Sequence, residues 1–87
     1  MIKVEEKNEK EFEVVVDEDG TRTKHVVTLD DEYYKHLTKG NVTKKKLIKR
    51  SFEFLLKREP KESILSRFDL RIINTYFPEY EEKIKII

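Results

Sequence analysis

The stretch from Val42 to Arg58, VTKKKLIKRSFEFLLKR, constrains the fold of this chain more than any other. Thr43 is a suitable N-cap, because its hydroxyl can accept a hydrogen bond from a backbone N–H two or three residues further on. Pro60 limits the helix at its other end, since the residue before a proline avoids helical geometry. The apolar residues fall along one stripe of an amphipathic helix: Leu47, Ile48, Phe52, Leu55 and Leu56. The sequence therefore predicts a helix over residues 43–58 whose apolar stripe starts the core.

A β-hairpin is predicted before this helix, in EFEVVVDEDGTRTKHVVTL, residues 11–29. Asp19-Gly20 is a strong signal for a two-residue type I′ turn, and the turn sets the pairing of the two strands. The resulting register places Arg22 opposite Asp17, and it places Lys24 on the same outward face as Arg22. The face toward the helices carries Phe12, Val14, Val16, His25 and Val27.

Shorter helices are predicted on both sides of the central helix. DDEYYKHLTK, residues 30–39, has acids in its first turn and lysines near its end, as the helix dipole favours. Asp30 or Asp31 caps it, and Gly40 ends it. KESILSRF, residues 61–68, is predicted as a further short helix.

The last part of the chain is also predicted to be helical. Asp69 caps LRIINTYF, and Pro78 occupies the first position of the final turns, EYEEKIKII. The buried side of the first of these helices is predicted to carry Ile72, Ile73, Tyr76 and Phe77. The terminal isoleucines either dock on the core or form part of a partner surface: Ile84, Ile86 and Ile87.

A single domain of α+β class is the predicted architecture, because 87 residues are too few for two independent cores. Charged residues are 43% and apolar residues 37%, which raises disorder as an alternative, but the apolar residues are periodic. We expect an N-terminal β-hairpin packed on three to four short helices. Residues 1–10 are expected to be a charged and partly mobile lead-in, residues 11–29 the hairpin, and residues 30–87 helical.

Cysteine usage and hydropathy indicate the compartment. With no cysteine there is neither a disulfide framework nor a thiolate metal site. No apolar run approaches the length of a membrane span, and no signal-peptide core is present. The sequence therefore predicts a cytoplasmic protein with no membrane partner. Its Lys-, Glu- and Ile-rich style is typical of heat-adapted proteins.

Charge is unevenly distributed along the chain. Residues 1–20 carry eight acids and three bases, or −5, and residues 21–50 carry nine bases and three acids, or +6. From Tyr33 to Phe52 there are seven Lys or Arg residues and no acid. Together with two hairpin cations, the basic end of the central helix forms the candidate nucleic-acid-binding set: Arg22, Lys24, Lys44, Lys45, Lys46, Lys49 and Arg50.

Folding stability alone does not explain this cluster. Cations at a helix N-terminus oppose the helix dipole, and the pairs Lys45 with Lys49 and Lys46 with Arg50 repel at a spacing of four. A bound phosphate would relieve this repulsion. Two alternatives remain: acids within the fold (Glu9, Glu11, Glu13 or residues 30–32) neutralise the cluster, or its lysines are simply solvated.

The leading functional hypothesis is a small non-enzymatic module that binds nucleic acid. The alternative is a protein–protein interaction module, or a homodimer whose −5 and +6 segments are complementary. No catalytic residue, metal ligand or cofactor is predicted, because no nucleophile motif or phosphate-cradling glycine loop occurs. His25 is expected to be a satisfied core residue, and His36 lacks the partners of a metal site.

Two stretches resemble known families. RSFEFLLKREPKESILSRFDLRIINTYFPEYE, residues 50–81, is similar to a family of small prokaryotic proteins of unknown function, which implies a shared fold and no particular activity. Residues 24–58 resemble a ribbon-helix-helix DNA-binding unit. That resemblance implies a dimer in which a strand at residues 24–29 reads bases, and a helix starting at Thr43 grips phosphate. The chain differs from that family in its short first helix, its paired strand and its helical tail.

Overall fold

The predicted hairpin is present and forms the middle of a four-stranded sheet in the computed structural model, which describes residues 1–85. Strand β2 spans Glu11–Glu18 and strand β3 spans Thr21–Thr28. Their register is the predicted one, with Asp17 opposite Arg22 and Val14 opposite His25. Asp19 (φ 56°) and Gly20 (φ 77°) both have positive φ, as a type I′ turn requires.

Residues 1–10 differ from the prediction, because they contain a strand rather than a mobile lead-in. Strand β1, Ile2–Glu6, pairs antiparallel with β2. The turn that follows is closed by Asn8, whose Oδ1 accepts hydrogen bonds from the backbone N–H groups of Lys10 and Glu11, each at 3.0 Å. An Asx turn of this kind needs neither glycine nor proline.

The fourth strand, β4, also corrects the prediction of a helix over residues 61–68. Only Lys61–Ser63 is helical there, as one 3₁₀ turn, and Arg67–Asp69 forms β4. This strand runs parallel to β3, and the order in the sheet is β1-β2-β3-β4. Phe68 is thereby buried beside Val27, a long-range contact that the local pattern does not report.

Two longer helices follow the hairpin where they were predicted. Helix α1 spans Asp31–Thr38, and Asp30 caps it by accepting from Tyr33 N at 2.8 Å. Lys39 (φ 55°) is the C-cap of α1, and Gly40 (φ 79°) follows it with positive φ at the predicted C′ position. Helix α2 spans Lys44–Leu56, and the predicted N-cap is confirmed, since Thr43 Oγ1 accepts from Lys46 N at 3.1 Å.

Two short helices close the described chain: α3, Ile72–Tyr76, and α4, Tyr80–Ile84. The predicted buried side of α3 is wrong for Tyr76, which is 65% exposed, and right for Ile73. Ile84 is buried in the core, which is the first of its two predicted fates. Ile86 and Ile87 lie outside the described residues.

The core lies between one face of the sheet and the helices. All of the predicted inward-facing hairpin residues are buried, and α2 contributes its stripe of Leu47, Ile48, Phe52 and Leu55. His25 is buried among them, with Nδ1 2.7 Å from Leu65 O and Nε2 2.9 Å from Thr23 Oγ1. The predicted α+β class and the satisfied core histidine are therefore confirmed.

Candidate anion-binding groove

A groove of about 700 Å³ lies between strand β1 and the first half of helix α2. We call it the basic groove, and its lining residues are Val4, Thr43, Lys45, Lys46, Lys49, Arg50 and Glu53. Helical geometry places the cations there. Because Leu47 and Ile48 are fully buried against the sheet, the residues beside them in the sequence must turn outward.

Lys44 does not share this environment, although it belongs to the same predicted cluster. Its Nζ lies 2.6 Å from Asp31 Oδ1 and donates to Glu9 O at 3.1 Å. The ammonium group also lies 5.8 Å from the centre of the Tyr34 ring. The hydrogen bond from Lys44 lowers the pKa of the Asp31 carboxyl. For this one lysine, the alternative of neutralisation within the fold is confirmed.

The four cations of the groove have no such partner in the described part of the chain. Within residues 1–85, no carboxylate lies within 4.0 Å of the side-chain nitrogens of Lys45, Lys46, Lys49 or Arg50. Glu53 lines the same groove without forming an ion pair with them. The groove therefore concentrates positive charge beside helix N–H groups that already favour an anion.

Arg22 and Lys24 are not brought to this groove. Both lie on the face of the sheet opposite to α2, since their neighbours Thr23 and His25 point inward. Arg22 Nη2 lies 3.0 Å from Asp17 Oδ2, its cross-strand neighbour. The candidate set from the sequence thus divides into four groove cations, one internally paired lysine, and two cations on the opposite face.

The basic surface continues along α2 further than the sequence predicts. A second groove of about 650 Å³ shares Arg50 and Glu53 with the first and adds Lys57 and Lys83. The signal for Lys57 is present in the sequence, because it lies seven residues after Arg50 on the same helical face. Lys83 has no local signal, since α4 reaches α2 only through the tertiary fold.

The free edge of β1 is the other feature that sequence reasoning missed. β1 is the outermost strand of the sheet, and its residue Val4 forms the sheet-side wall of the basic groove. Alternation of Ile2 and Val4 with Lys3 and Glu5 is a strand signal, but it covers only five residues. The structure therefore places an open strand edge next to the unpaired cations.

A polar cleft lies between α1 and the segment that holds α3 and α4. Glu81 accepts a hydrogen bond from the Tyr33 hydroxyl at 2.9 Å and lies 3.6 Å from His36 Nε2. Burial, and then this hydrogen bond, raise the pKa of the Tyr33 phenol. Arg71 closes the cleft through its pairing with Asp30 at 2.7 Å. The polar side chains of the cleft are therefore joined to one another across the fold.

No metal-binding arrangement of three or more His, Cys, Asp or Glu side chains occurs within residues 1–85. In the same range, no helix is long and apolar enough to cross a membrane.

Comparisons with known proteins leave the chain without an assigned class. No protein-family model matches it, and no curated protein and no solved structure is significantly similar to it. The resemblance of residues 50–81 to small prokaryotic proteins therefore stays a prediction. The ribbon-helix-helix resemblance implies a strand with an open edge, whereas β3 is flanked by β2 and β4. The base-reading ribbon of that family is thus not available to this strand.

Proposed function

We propose that this protein is a non-enzymatic binding module whose basic groove binds an anionic macromolecule. One observation carries the proposal: Lys45, Lys46, Lys49 and Arg50 share a groove without a carboxylate partner among residues 1–85. Each of these cations opposes the dipole of α2 or repels a neighbour four residues away. Such an arrangement costs folding free energy, and an anionic partner offsets that cost.

Nucleic acid is the partner that the sequence predicts, and the groove supports this candidate through its shape and charge. Phosphates would contact the ammonium and guanidinium groups, and the second groove at Lys57 and Lys83 would extend the track along α2. Binding should be strongly dependent on salt, because phosphate contacts release counterions from the nucleic acid.

Fluorescence anisotropy with a labelled duplex tests this candidate. Each phosphate contact contributes about −0.9 to the log–log salt slope, so contacts from the four groove cations give a slope of roughly −4, and further contacts from Lys57 and Lys83 make it steeper. Lys49→Glu combined with Arg50→Glu should weaken binding at least tenfold. Lys24→Glu with Arg22→Glu is the matched control, because it makes the same charge change on the opposite face of the sheet. Equal loss in both double variants would place the contact elsewhere.

A protein partner is the second candidate, and the open edge of β1 beside the basic groove favours it. Exposed strand edges pair readily with extended segments of other chains. A homodimer is one form of this candidate. The cytoplasmic location of this protein remains a prediction from its cysteine-free composition.

A further inference from the structure

Strand β1 presents a row of backbone groups that point away from the sheet. Asp17 N donates to Met1 O at 2.8 Å, and Lys7 N donates to Glu11 O at 2.8 Å, so the odd-numbered residues of β1 are those that bond to β2. In an antiparallel ladder the bonding residues alternate with non-bonding ones. The N–H and C=O groups of Ile2, Val4 and Glu6 therefore face the open edge, and none of them has a backbone partner within residues 1–85.

The basic groove lies directly beside this edge. Side chains of a strand alternate between its two faces, and those of Ile2 and Val4 point toward the helices. A strand added to β1 would likewise direct every second side chain toward α2. Those side chains would meet the four groove cations and two acids, Glu53 on α2 and Glu6 on the same face of β1 as Val4. Charge complementarity therefore requires acidic residues at alternate positions of the added strand.

We infer that β1 accepts an extended acidic segment of a partner protein as a fifth strand, with its acidic side chains lying in the basic groove. This inference rests on the proposed function and names the class of its partner. Backbone hydrogen bonds to Ile2, Val4 and Glu6 supply the attachment. The four groove cations select for acids on the side of the added strand that faces the helix: Lys45, Lys46, Lys49 and Arg50.

The composition of the edge favours a polypeptide over a nucleic acid. The sheet-side wall of the groove is Val4, an apolar residue that packs well against another strand. Open backbone N–H and C=O groups in strand geometry match another peptide backbone, and nucleic acid has no equivalent row of donors and acceptors.

A second copy of this chain is a poorer occupant of the same edge. Its own β1 would bring a second α2, with the same four cations, to the same junction. Like charges would then face each other where the groove needs acids. The observations therefore favour a foreign acidic segment.

Synthetic peptides test the inference without altering the protein. The first peptide alternates glutamate with threonine. The second has the same sequence but carries N-methyl groups on the residues whose N–H would face β1. The third has the same composition with its glutamates contiguous. We expect the first to bind. The second should bind about tenfold or more weakly, because its N-methyl groups remove hydrogen bonds to β1. The third should also bind about tenfold or more weakly, because contiguous glutamates direct only every second carboxylate toward the groove. Equal affinity of the first two peptides would overturn strand addition while leaving groove binding intact.

Protein variants and a duplex complete the experiment. Ile2→Pro removes one edge-facing N–H at a residue that does not line the basic groove, and a proline is tolerated on an edge strand when its N–H side faces solvent. This variant should bind the first peptide with lower affinity and the duplex with unchanged affinity. A thermal melt checks that it is folded. Duplex binding in the absence of peptide binding would overturn the inference and retain the proposed function. If neither probe binds at low salt, both the inference and the proposed function are wrong.

Discussion

At the scale of single residues, the contact between Ser51 and Tyr80 is the clearest stabilising polar interaction. Both residues are fully buried, and their oxygens lie 2.6 Å apart. Ser51 Oγ donates its one hydrogen to Leu47 O at 2.8 Å, so the Tyr80 hydroxyl must be the donor to Ser51. Burial raises the pKa of the Tyr80 phenol, which keeps that donor protonated.

The two halves of this contact should differ in what their removal costs. Ser51→Ala leaves a buried phenol without an acceptor and should lower the free energy of unfolding by about 1–3 kcal/mol. Tyr80→Phe leaves Ser51 bonded to Leu47 and should cost about 1 kcal/mol or less. Urea titrations of both variants and of the double variant measure this. We expect the double variant to be less destabilised than the sum of the two, and strict additivity would contradict the assignment.

Asp30 gives the fold a defined acid sensitivity. The hydrogen bond from Arg71, and then that from Tyr33 N, lower the pKa of Asp30 from its ordinary value of 3.8 to about 2. A carboxyl whose pKa is lowered by folding stabilises the protein above its unfolded pKa and loses that contribution as pH falls through the folded value. Asp30→Asn should therefore be less stable than wild type above pH 4, and the difference should shrink toward pH 2 and vanish below it.

Thermal melts across this pH range measure the Asp30 effect as the difference between variant and wild type. Other acids with lowered pKa, such as Asp31 and Glu79, contribute to both curves and cancel in that difference. The Asp30→Asn effect should shrink in an Arg71→Gln background, because the main cause of the shift is then absent. A difference that persists unchanged down to pH 2 would contradict the linkage.

At the scale of elements, the sequence predicts best where local chemistry decides. Asp19-Gly20 determines the turn, and the turn determines the register of β2 and β3. The stripe of α2 and the cap at Thr43 are equally local. Strand β4 could not be found this way, because Arg67–Asp69 is a strand only through its pairing with β3. Strand β1 was missed because its turn is made by the side chain of Asn8.

The candidate site was predicted in part for the same reason. Helical periodicity alone places Lys45, Lys46, Lys49 and Arg50 on one outward face. The pairing of Lys44 with Asp31 depends on how α1 and α2 pack, although acids at 30–32 were among the predicted alternatives. Arg22 and Lys24 were wrongly grouped with the helix cations. The predicted register already puts them on the sheet face that points away from the helices.

The first half of α2 should show a trade between stability and binding. Lys45→Glu and Lys46→Glu each replace a cation that opposes the helix dipole with an anion that favours it. Each should raise the free energy of unfolding by about 0.3–1 kcal/mol. Each should also lower the affinity for the anionic partner. Chemical denaturation and anisotropy on the same samples measure both effects. Lys57→Glu, past the end of the helix, is the control, and it should lack the stabilising effect.

At the scale of the whole molecule, folding pairs several of the acids that the sequence concentrates in residues 1–20 with basic side chains. The outer face of the sheet holds four acids of the −5 segment, and each has a basic partner on that face. The pairs, at 3.0–3.6 Å, are Lys3 with Glu5, Lys7 with Glu13, Arg22 with Asp17, and Arg67 with Glu11. Such surface pairs add little stability, yet they reduce the net field of the face that carries them.

This matching of charge argues against a homodimer formed by complementary segments. An outer face whose four carboxylates are each paired within one copy has little attraction for the basic groove of another. The exposed large apolar residues within residues 1–85 are Met1, Leu65 and Tyr76, too few for the roughly 1,000 Å² that a specific interface buries. We therefore predict a monomer at both low and high salt. Scattering should give a radius of gyration near the 12.0 Å of the Cα atoms at each salt concentration. A dimer that forms at low salt and dissociates at high salt would show instead that the acidic and basic faces do bind each other.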